Sequence, residues 1–529
     1  KLKDLIMIKY RFIILVLCTI IVIVYTTTNS FFYSSKNEAQ LNHPSRVKNI
    51  EKILKIGVVS LPGSFGNPYR GTGIPTIYTT RTMFEGLTFV NEIGQAKPLL
   101  ALGWKRIDSL SWEFYLRKGV VFHNGRPFDS RSVIFAVNYL ISKAAQIEPI
   151  SRDLGALKNA KIIDDHTVVI NTHVPSPLLP QLLESLMIVE PYQWNDLGRE
   201  EFSNKPIGTG PFKLQKLENT RAYLTAHKES WRNPILSGIE ILAIPDPASR
   251  VQAILSNKID VAVAMSQDDI TIIEEGGGKG NVGISMSALG ISFILTKLPK
   301  NHPLQNIKVR RALNYAVNKE KYTQTLFNGM TKAASQPTTS GAFGFNTSLK
   351  PYPHYPDYAK RLLEEAGYPD GFSFIAEVTI TGGASLASVY QQVASDLRII
   401  GVNMELRIIP VQQLIRGIQE GSWKGEAFGM NYSSQRTTDA LRPIMVHSCL
   451  QRTPWYCDKS ISSEIDTAFK TSDLEERRTL TQNLMKKYHD EAPAIWLHEI
   501  VMMKGLSSRV LNFRQTLNVI NYHEIDLSL

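Results

Sequence analysis

The sequence predicts an α/β protein of about three or four domains, or two large lobes. Three observations predict it. The chain has 529 residues, and domains run to roughly 100–200 residues each. Hydrophobic residues make up 43% and charged residues 20%, ordinary globular values that exclude a disordered, collagen-like or disulfide-dense chain. Beyond about residue 300, amphipathic helices, glycine stops and alternating strands follow one another, the succession that builds an α/β layer. Only one long apolar run exists, at the N-terminus, which excludes a polytopic membrane protein.

The N-terminus predicts export. Lys1, Lys3, Lys9 and Arg11 stand against Asp4, and Phe12 to Val24 is apolar apart from Thr19. The small polar stretch Tyr25–Ser30 follows. A charged start, a short apolar core and small residues describe a signal peptide over 1–30. An uncleaved anchor is the alternative. Leu17 before Cys18 is too large for a lipoprotein box. Residues 31–52 are polar and mixed, and read as a linker. With Cys18 removed, Cys449 and Cys457 remain. An even count in an oxidising compartment predicts one disulfide, with two free buried thiols as the alternative.

Each element of the body then has a local reason. Ile53–Ser60 is a short β-rich run, and Pro and Gly cluster from there to Pro75 as loop. Trp112, Phe114 and Leu116 alternate in Ser111–Leu116, a half-buried strand. Asp129 and Ser130 supply acceptors for a helix running to Leu140. Thr167–Ile170 is a strand, and three prolines between Val174 and Pro180 end it. Val309, Ala312, Leu313, Ala316 and Val317 line one helix face, with Lys308, Arg310 and Arg311 expected in solvent. Asp357 opens a helix with Ala359, Leu362, Leu363 and Ala366 inward, stopped by Gly367 and Pro369. A third helix covers about Leu386–Ile400 and stops at Gly401. Val402, Met404, Leu406 and Ile408 alternate as a strand.

Positive signs of catalysis are missing. Neither Gly-x-Ser-x-Gly nor His-Glu-x-x-His occurs. Gly276-Gly277-Gly278-Lys279-Gly280 lacks P-loop spacing and reads as a flexible surface loop. The 11 histidines show no metal-ligand spacing, so no metal or cofactor is expected. The formal charge of +11 is scattered without a basic run, which argues against nucleic-acid binding.

One set of motifs is specific. Met83-Phe84-Glu85-Gly86-Leu87-Thr88, Lys97–Trp104 and Trp112–Phe128 come first. Gly208-Thr209-Gly210-Pro211-Phe212, Arg250–Ile254, Ile259-Asp260-Val261, Val309–Leu313 and Ala359–Tyr368 follow in order. The set resembles the family 5 extracellular solute-binding proteins, the peptide, nickel and opine receptors of ATP-binding-cassette (ABC) importers. The resemblance covers about residues 53–529. It implies a two-lobed periplasmic-binding-protein fold with an additional domain on the first lobe. Lobe I would use 53–77, 196–290 and 500–529, the extra domain 78–195, and lobe II 291–499. It further implies a monomeric periplasmic receptor without enzymatic activity, closing on its ligand by hinge motion. The receptor would deliver short peptides or peptide-like solutes to an inner-membrane permease with ATPase subunits. A nickel chelate, haem, an opine or a sugar is the alternative ligand, and an exported hydrolase the remote one.

The resemblance also suggests site residues. Thr72-Gly73-Ile74-Pro75 matches a segment that pairs with peptide backbone as an added strand. Peptide binders carry a Trp-x-x-Asp element whose acid neutralises the ligand's α-amino group. The matching stretch is Met430-Asn431-Tyr432-Ser433, with neither residue. An unpaired buried ammonium is costly, so a free-N-terminus peptide needs another acid, and Asp439 is the nearest. Arg436, Asp439 and Arg442 are candidate cleft charges, since arginines fork onto carboxylates. Trp496 and His498 are candidates near the last hinge crossing. His447 beside Cys449 is a candidate toward a metal complex or haem.

Overall fold

The computed structural model describes residues 51–71, 74–380, 384–435 and 437–528. The expected signal peptide and the linker through residue 50 lie outside these. Lys52–Leu529 forms one compact unit.

Twenty strands occur among the described residues, and ten form one sheet. β1 (Ile53–Val58) is central to its first half. β2 (Thr88–Val90) and β3 (Ala96–Pro98) form a small hairpin. β4 (Ala101–Arg106), β5 (Ser111–Leu116), β6 (Leu157–Asp164) and β7 (Thr167–Thr172) form a separate antiparallel sheet in the order β4-β5-β7-β6. β8 (Phe212–Leu217), β9 (Arg221–Ala226), β10 (Gly238–Ala243), β11 (Val261–Met265) and β12 (Lys279–Phe293) return to the large sheet. β13 (Phe372–Val378), β14 (Val402–Ile408), β15 (Ala427–Ser433) and β16 (Ala494–Leu506) complete it. Its order is β14-β13-β15-β12-β16-β11-β1-β10-β9-β8. The tail forms two small ladders, β17 (Val510–Leu511) with β20 (Asp526–Leu527) and β18 (Gln515–Thr516) with β19 (Val519–Ile520).

β12 and β16 join the two halves of this sheet. They pair antiparallel from Lys279↔Leu506 to Ser292↔Ala494, and the register shifts between Ile284, Ala288 and Gly290. Such irregularities bend a ladder and loosen it locally. The first-half core holds Leu54, Ile56, Phe84, Phe114 and Trp194; a second core around Phe374 also takes in Val251, Ala262 and Ile273 from first-half elements, and a third surrounds Trp496.

The motifs of the first half interlock. A Cβ on Gly208 would stand 2.2 Å from the Met83 carbonyl oxygen, and one on Gly210 would stand 2.5 Å from the same carbonyl carbon. Only glycine allows that approach. Thr209 Oγ1 donates to Glu85 Oε2 at 2.9 Å, and Trp231 Nε1 donates to the same oxygen at 3.1 Å. Phe-Glu-Gly-Leu and Gly-Thr-Gly are therefore two sides of one contact.

Most local expectations match. Asp129 caps Ser130–Ile141 by accepting from Arg131 N. Ala359, Leu362 and Leu363 are buried on Pro356–Glu365, and Gly367 adopts φ +88° beyond its end. Ala384–Ile399 precedes β14, where Val402 and Met404 are buried. Ile408, the last residue of β14 on the same face, is 61% exposed: burial on that face fades toward the strand's C-terminal end.

Three expectations need correction. Arg310 is buried rather than solvated; its guanidinium donates to the carbonyls of Leu304, Gln305 and Glu491. A long flexible side chain thus closes open carbonyl ends that burial would otherwise leave unmatched. The glycine-rich 276–280 stretch is a helix stop followed by a strand. Gly276 caps Gln267–Glu275, and Lys279 and Gly280 pair with Leu506 and Gly505. Ile74 and Pro75 open the helix Ile74–Met83 rather than a loop. Proline suits a first helical turn because the N–H it lacks has no intrahelical partner there.

Candidate functional site

A cavity of about 140 Å³ lies where first-half elements face the β12 bend. Ile77, Thr80 and Arg81 reach it from the Ile74–Met83 helix, and Glu184 and Ser185 from the proline-rich segment after β7. Gln435 and Thr438 enter just after β15, Leu517 and Asn518 from the tail, and Met286 from the bend itself. Met286 has φ +23° and is buried. The cavity therefore touches both halves of the sheet at the place where the two long strands lose their register.

Its charges balance. Arg81 Nη2 lies 2.8 Å from Glu184 Oε1, and both side chains are largely buried. Burial pushes the Glu184 carboxyl up, opposed by the Arg81 charge. The remaining polar lining is neutral. Asn518 Oδ1 is buried with no hydrogen-bond partner, an acceptor that a ligand N–H would satisfy. Thr438 has φ +52°, and Phe343 N donates to its carbonyl at 2.6 Å. An adjacent guanidinium and carboxylate offer one group for a carboxylate and one for an ammonium.

The sequence candidates fall around this cavity more than within it. Thr72, Gly73 and Arg436 lie outside the described residues. Ile74 starts a helix, so the segment that would add a peptide strand is helical from that residue. Met430–Ser433 ends β15, paired with Gly290 to Ser287 of β12. Tyr432 is buried, its hydroxyl 2.5 Å from Ser292 Oγ, while Asn431 is exposed. None of these four lines the cavity; Gln435 and Thr438 do.

Asp439 is committed elsewhere. Its Oδ2 accepts from Arg477 Nη2 at 2.6 Å, and its Oδ1 accepts from Leu441 N at 3.0 Å. Arg442 Nη1 donates to the Ser433 carbonyl at 2.9 Å, and its Nη2 stands 3.8 Å from Asp153. Asp439, Arg442 and Arg477 line a second, mostly apolar cavity of about 410 Å³ with Pro175, Leu178 and Phe469.

Trp496 and His498 belong to β16 and are buried. Tyr322 Oη is 3.4 Å from His498 Nδ1, and burial holds this imidazole down to about 3, hence neutral. His447 is fully buried among Trp455, Tyr456 and Tyr488, also held down to about 3. It offers no open face to a metal complex or haem. Among the described residues no group of three His, Cys, Asp or Glu side chains is placed to hold a metal. Cys449 and Cys457 form a disulfide, as the cysteine count predicts.

Arg81 and Glu184 escape sequence reading. Arg81 precedes the Phe-Glu-Gly-Leu motif without belonging to it, and Glu184 sits in an unpatterned loop. Only the fold brings them together.

A ten-stranded sheet crossed by two long strands, with a cavity at their bend, defines a two-lobed solute-capture protein. The comparisons with known proteins specify it further. The family model for bacterial extracellular solute-binding proteins, family 5, matches residues 95–444. The chain belongs to that family. Heme-binding protein A of Haemophilus influenzae is 25% identical over 460 residues, covering 79% of this chain and 82% of that protein. Di/tripeptide-binding protein 2 of Pseudomonas aeruginosa is 25% identical over 456 residues, covering 79% and 84%. Among solved structures, HbpA2 from Haemophilus parasuis superposes with a TM-score of 0.76 at 22% identity, covering 90% of this chain and all of that one. The Helicobacter pylori periplasmic binding protein DppA, in complex with the peptide STSA, gives 0.72 at 21%, covering 90% and 98%. Among the described residues no helix is long and apolar enough to cross a membrane.

Proposed function

We propose that this chain captures short peptides or peptide-like zwitterions at the β12–β16 bend and delivers them to an ABC permease of the inner membrane. The observation that carries the reading is the balanced Arg81–Glu184 pair in the cavity wall. Arg81 receives the ligand carboxylate, and Glu184 receives the ammonium for which Met430–Ser433 holds no acid. Each charge then exchanges one buried partner for another, so no ion is stranded. Names of relatives such as Di/tripeptide-binding protein 2 support the ligand class.

The protein works as a periplasmic monomer, exported by residues 1–30, and performs no chemistry on its ligand. Lobe I comprises 53–77, 196–290 and 500–529, the extra domain 78–195 and lobe II 291–499. Closure about the β12 and β16 bend desolvates the ligand.

Native mass spectrometry of the protein from a periplasmic extract tests the ligand class. Fragmentation of the released species into a peptide ladder is the expected result. A porphyrin, a metal chelate or a single non-peptide mass overturns it.

A further inference from the structure

A larger chamber of about 470 Å³ lies behind the cleft cavity, and the Arg81–Glu184 pair belongs to the walls of both. Its lining comes from the β2–β3 hairpin, the Phe-Glu-Gly-Leu motif, Arg117, Trp231 and the tail from Thr516 to Glu524. No residue between 233 and 515 lines it, so access to it does not need the second half of the sheet to close.

One cation in this chamber, Arg117, has no carboxylate in direct contact among the described residues; it feels the charge of Glu85, which pairs with Arg232. The Arg117 guanidinium stacks on Trp231, 3.9 Å from the ring centroid, and its Nε donates to the Leu99 carbonyl at 3.0 Å. Among the described residues neither of its terminal nitrogens has a hydrogen bond or ion pair. The other charges have partners, with Glu524 the most weakly held: its Oε2 is buried without a hydrogen bond. Arg81 pairs with Glu184, and Arg232 Nε stands 2.9 Å from Glu85 Oε1. Glu524 stands 3.9 Å from Arg514, outside the chamber. His523 Nδ1 lies 3.1 Å from Arg232 Nη1, and burial beside Arg232 holds its ring down to about 4, hence neutral. A fixed guanidinium fork in a pocket with apolar walls (Phe89, Val90, Leu99, Ile520) suits a planar anion on an apolar body.

We propose that this chamber is a second ligand site. It takes the carboxylate of a small amphipathic acid on the terminal nitrogens of Arg117, with the apolar part against Phe89, Leu99 and Ile520. The site shares only the Arg81–Glu184 and Val519 wall with the cleft cavity, takes no lining from the second half of the sheet, and is occupied independently of closure.

The test is ¹⁹F NMR titration of the full secreted chain with 4-fluorophenylacetate and, as neutral control, 4-fluorophenylacetamide. The acid binds and the amide binds at least tenfold more weakly. Arg117→Met lowers acid binding at least tenfold, Arg117→Lys lowers it less, and Gln435→Trp, which fills only the cleft cavity, leaves it unchanged. If Arg117→Met lowers the melting temperature, Arg117→Lys and the acid-to-amide comparison decide. Equal binding of acid and amide, loss in Gln435→Trp with retention in Arg117→Met, or no binding of the acid at millimolar concentration overturns the proposal.

Discussion

Arg477 offers the sharpest perturbation, because it distinguishes two roles for Asp439. The two side chains are 3% and 9% exposed and meet at 2.6 Å. Arg477 Nη1 also donates to the carbonyls of Ala468 and Phe469, at 2.9 and 2.7 Å, closing the C-terminal end of the Lys459–Lys470 helix. Arg477→Met removes the cation and leaves a carboxylate buried without compensation. Breaking a buried pair from one side costs about 3–5 kcal/mol. Replacing both members, as in Arg477→Met with Asp439→Leu, removes the stranded charge. The double variant should therefore recover about 1–3 kcal/mol relative to the sum of the single changes. Urea unfolding followed by circular dichroism reads these differences as midpoint shifts. Asp439→Asn should also lower the midpoint and leave affinity for the peptide that mass spectrometry is expected to release within about twofold. If Asp439 instead held the ligand's ammonium, Asp439→Asn would leave the midpoint in place and weaken binding tenfold or more. That result would place Asp439 in the binding site and rule out a purely structural role.

Other consequences follow from buried charges and close packing. Lys504 and Lys319 are buried without an acid partner among the described residues, and burial holds each amine down to about 7. A base depressed on folding opposes the fold most at and below pH 7, and the penalty fades toward its unfolded value near 10.5. Stability should therefore rise between pH 7 and 10, and Lys504→Met should raise the pH 7 urea midpoint and flatten that rise; the linkage ceiling is about 4–5 kcal/mol per lysine. Gly208→Ala forces a Cβ against Met83 and should cost about 1–3 kcal/mol in the same assay. Reducing the Cys449–Cys457 disulfide should cost about 2–3 kcal/mol by chain entropy, read as a lower midpoint with dithiothreitol.

The elements that sequence reading places well share one physical cause: their burial follows a local period. Ala359, Leu362 and Leu363 repeat along a helix face, and Val402 and Met404 alternate into the core, so spacing alone locates them. Arg310 shows where that logic ends. Its charge suggests solvent, yet carbonyls from the turn just before the helix (Leu304, Gln305) and from distant Glu491 make burial favourable, and none of them is visible from the helix's own pattern. Ile74–Pro75 reads equally as loop or first helical turn, because proline suits both. Within the candidate site, sequence reading comes within a few residues of Gln435 and Thr438 but passes over Arg81 and Glu184. Their meaning lies in a contact between elements more than a hundred residues apart. Asp439 illustrates the converse: it looks available in the sequence and is taken by Arg477 in the fold.

If Arg81 and Glu184 divide the two ends of a zwitterionic ligand, blocking the ligand's ammonium must cost affinity through Glu184. The most direct test is isothermal titration of the copurified peptide and its N-acetylated form into the wild-type protein and Glu184→Gln. N-acetylation should weaken binding to the wild type at least tenfold. In Glu184→Gln the free and acetylated peptides should bind within about threefold of each other, because the group that distinguishes them is gone. An acetylated peptide that binds the wild type as tightly as the free one would contradict the claim.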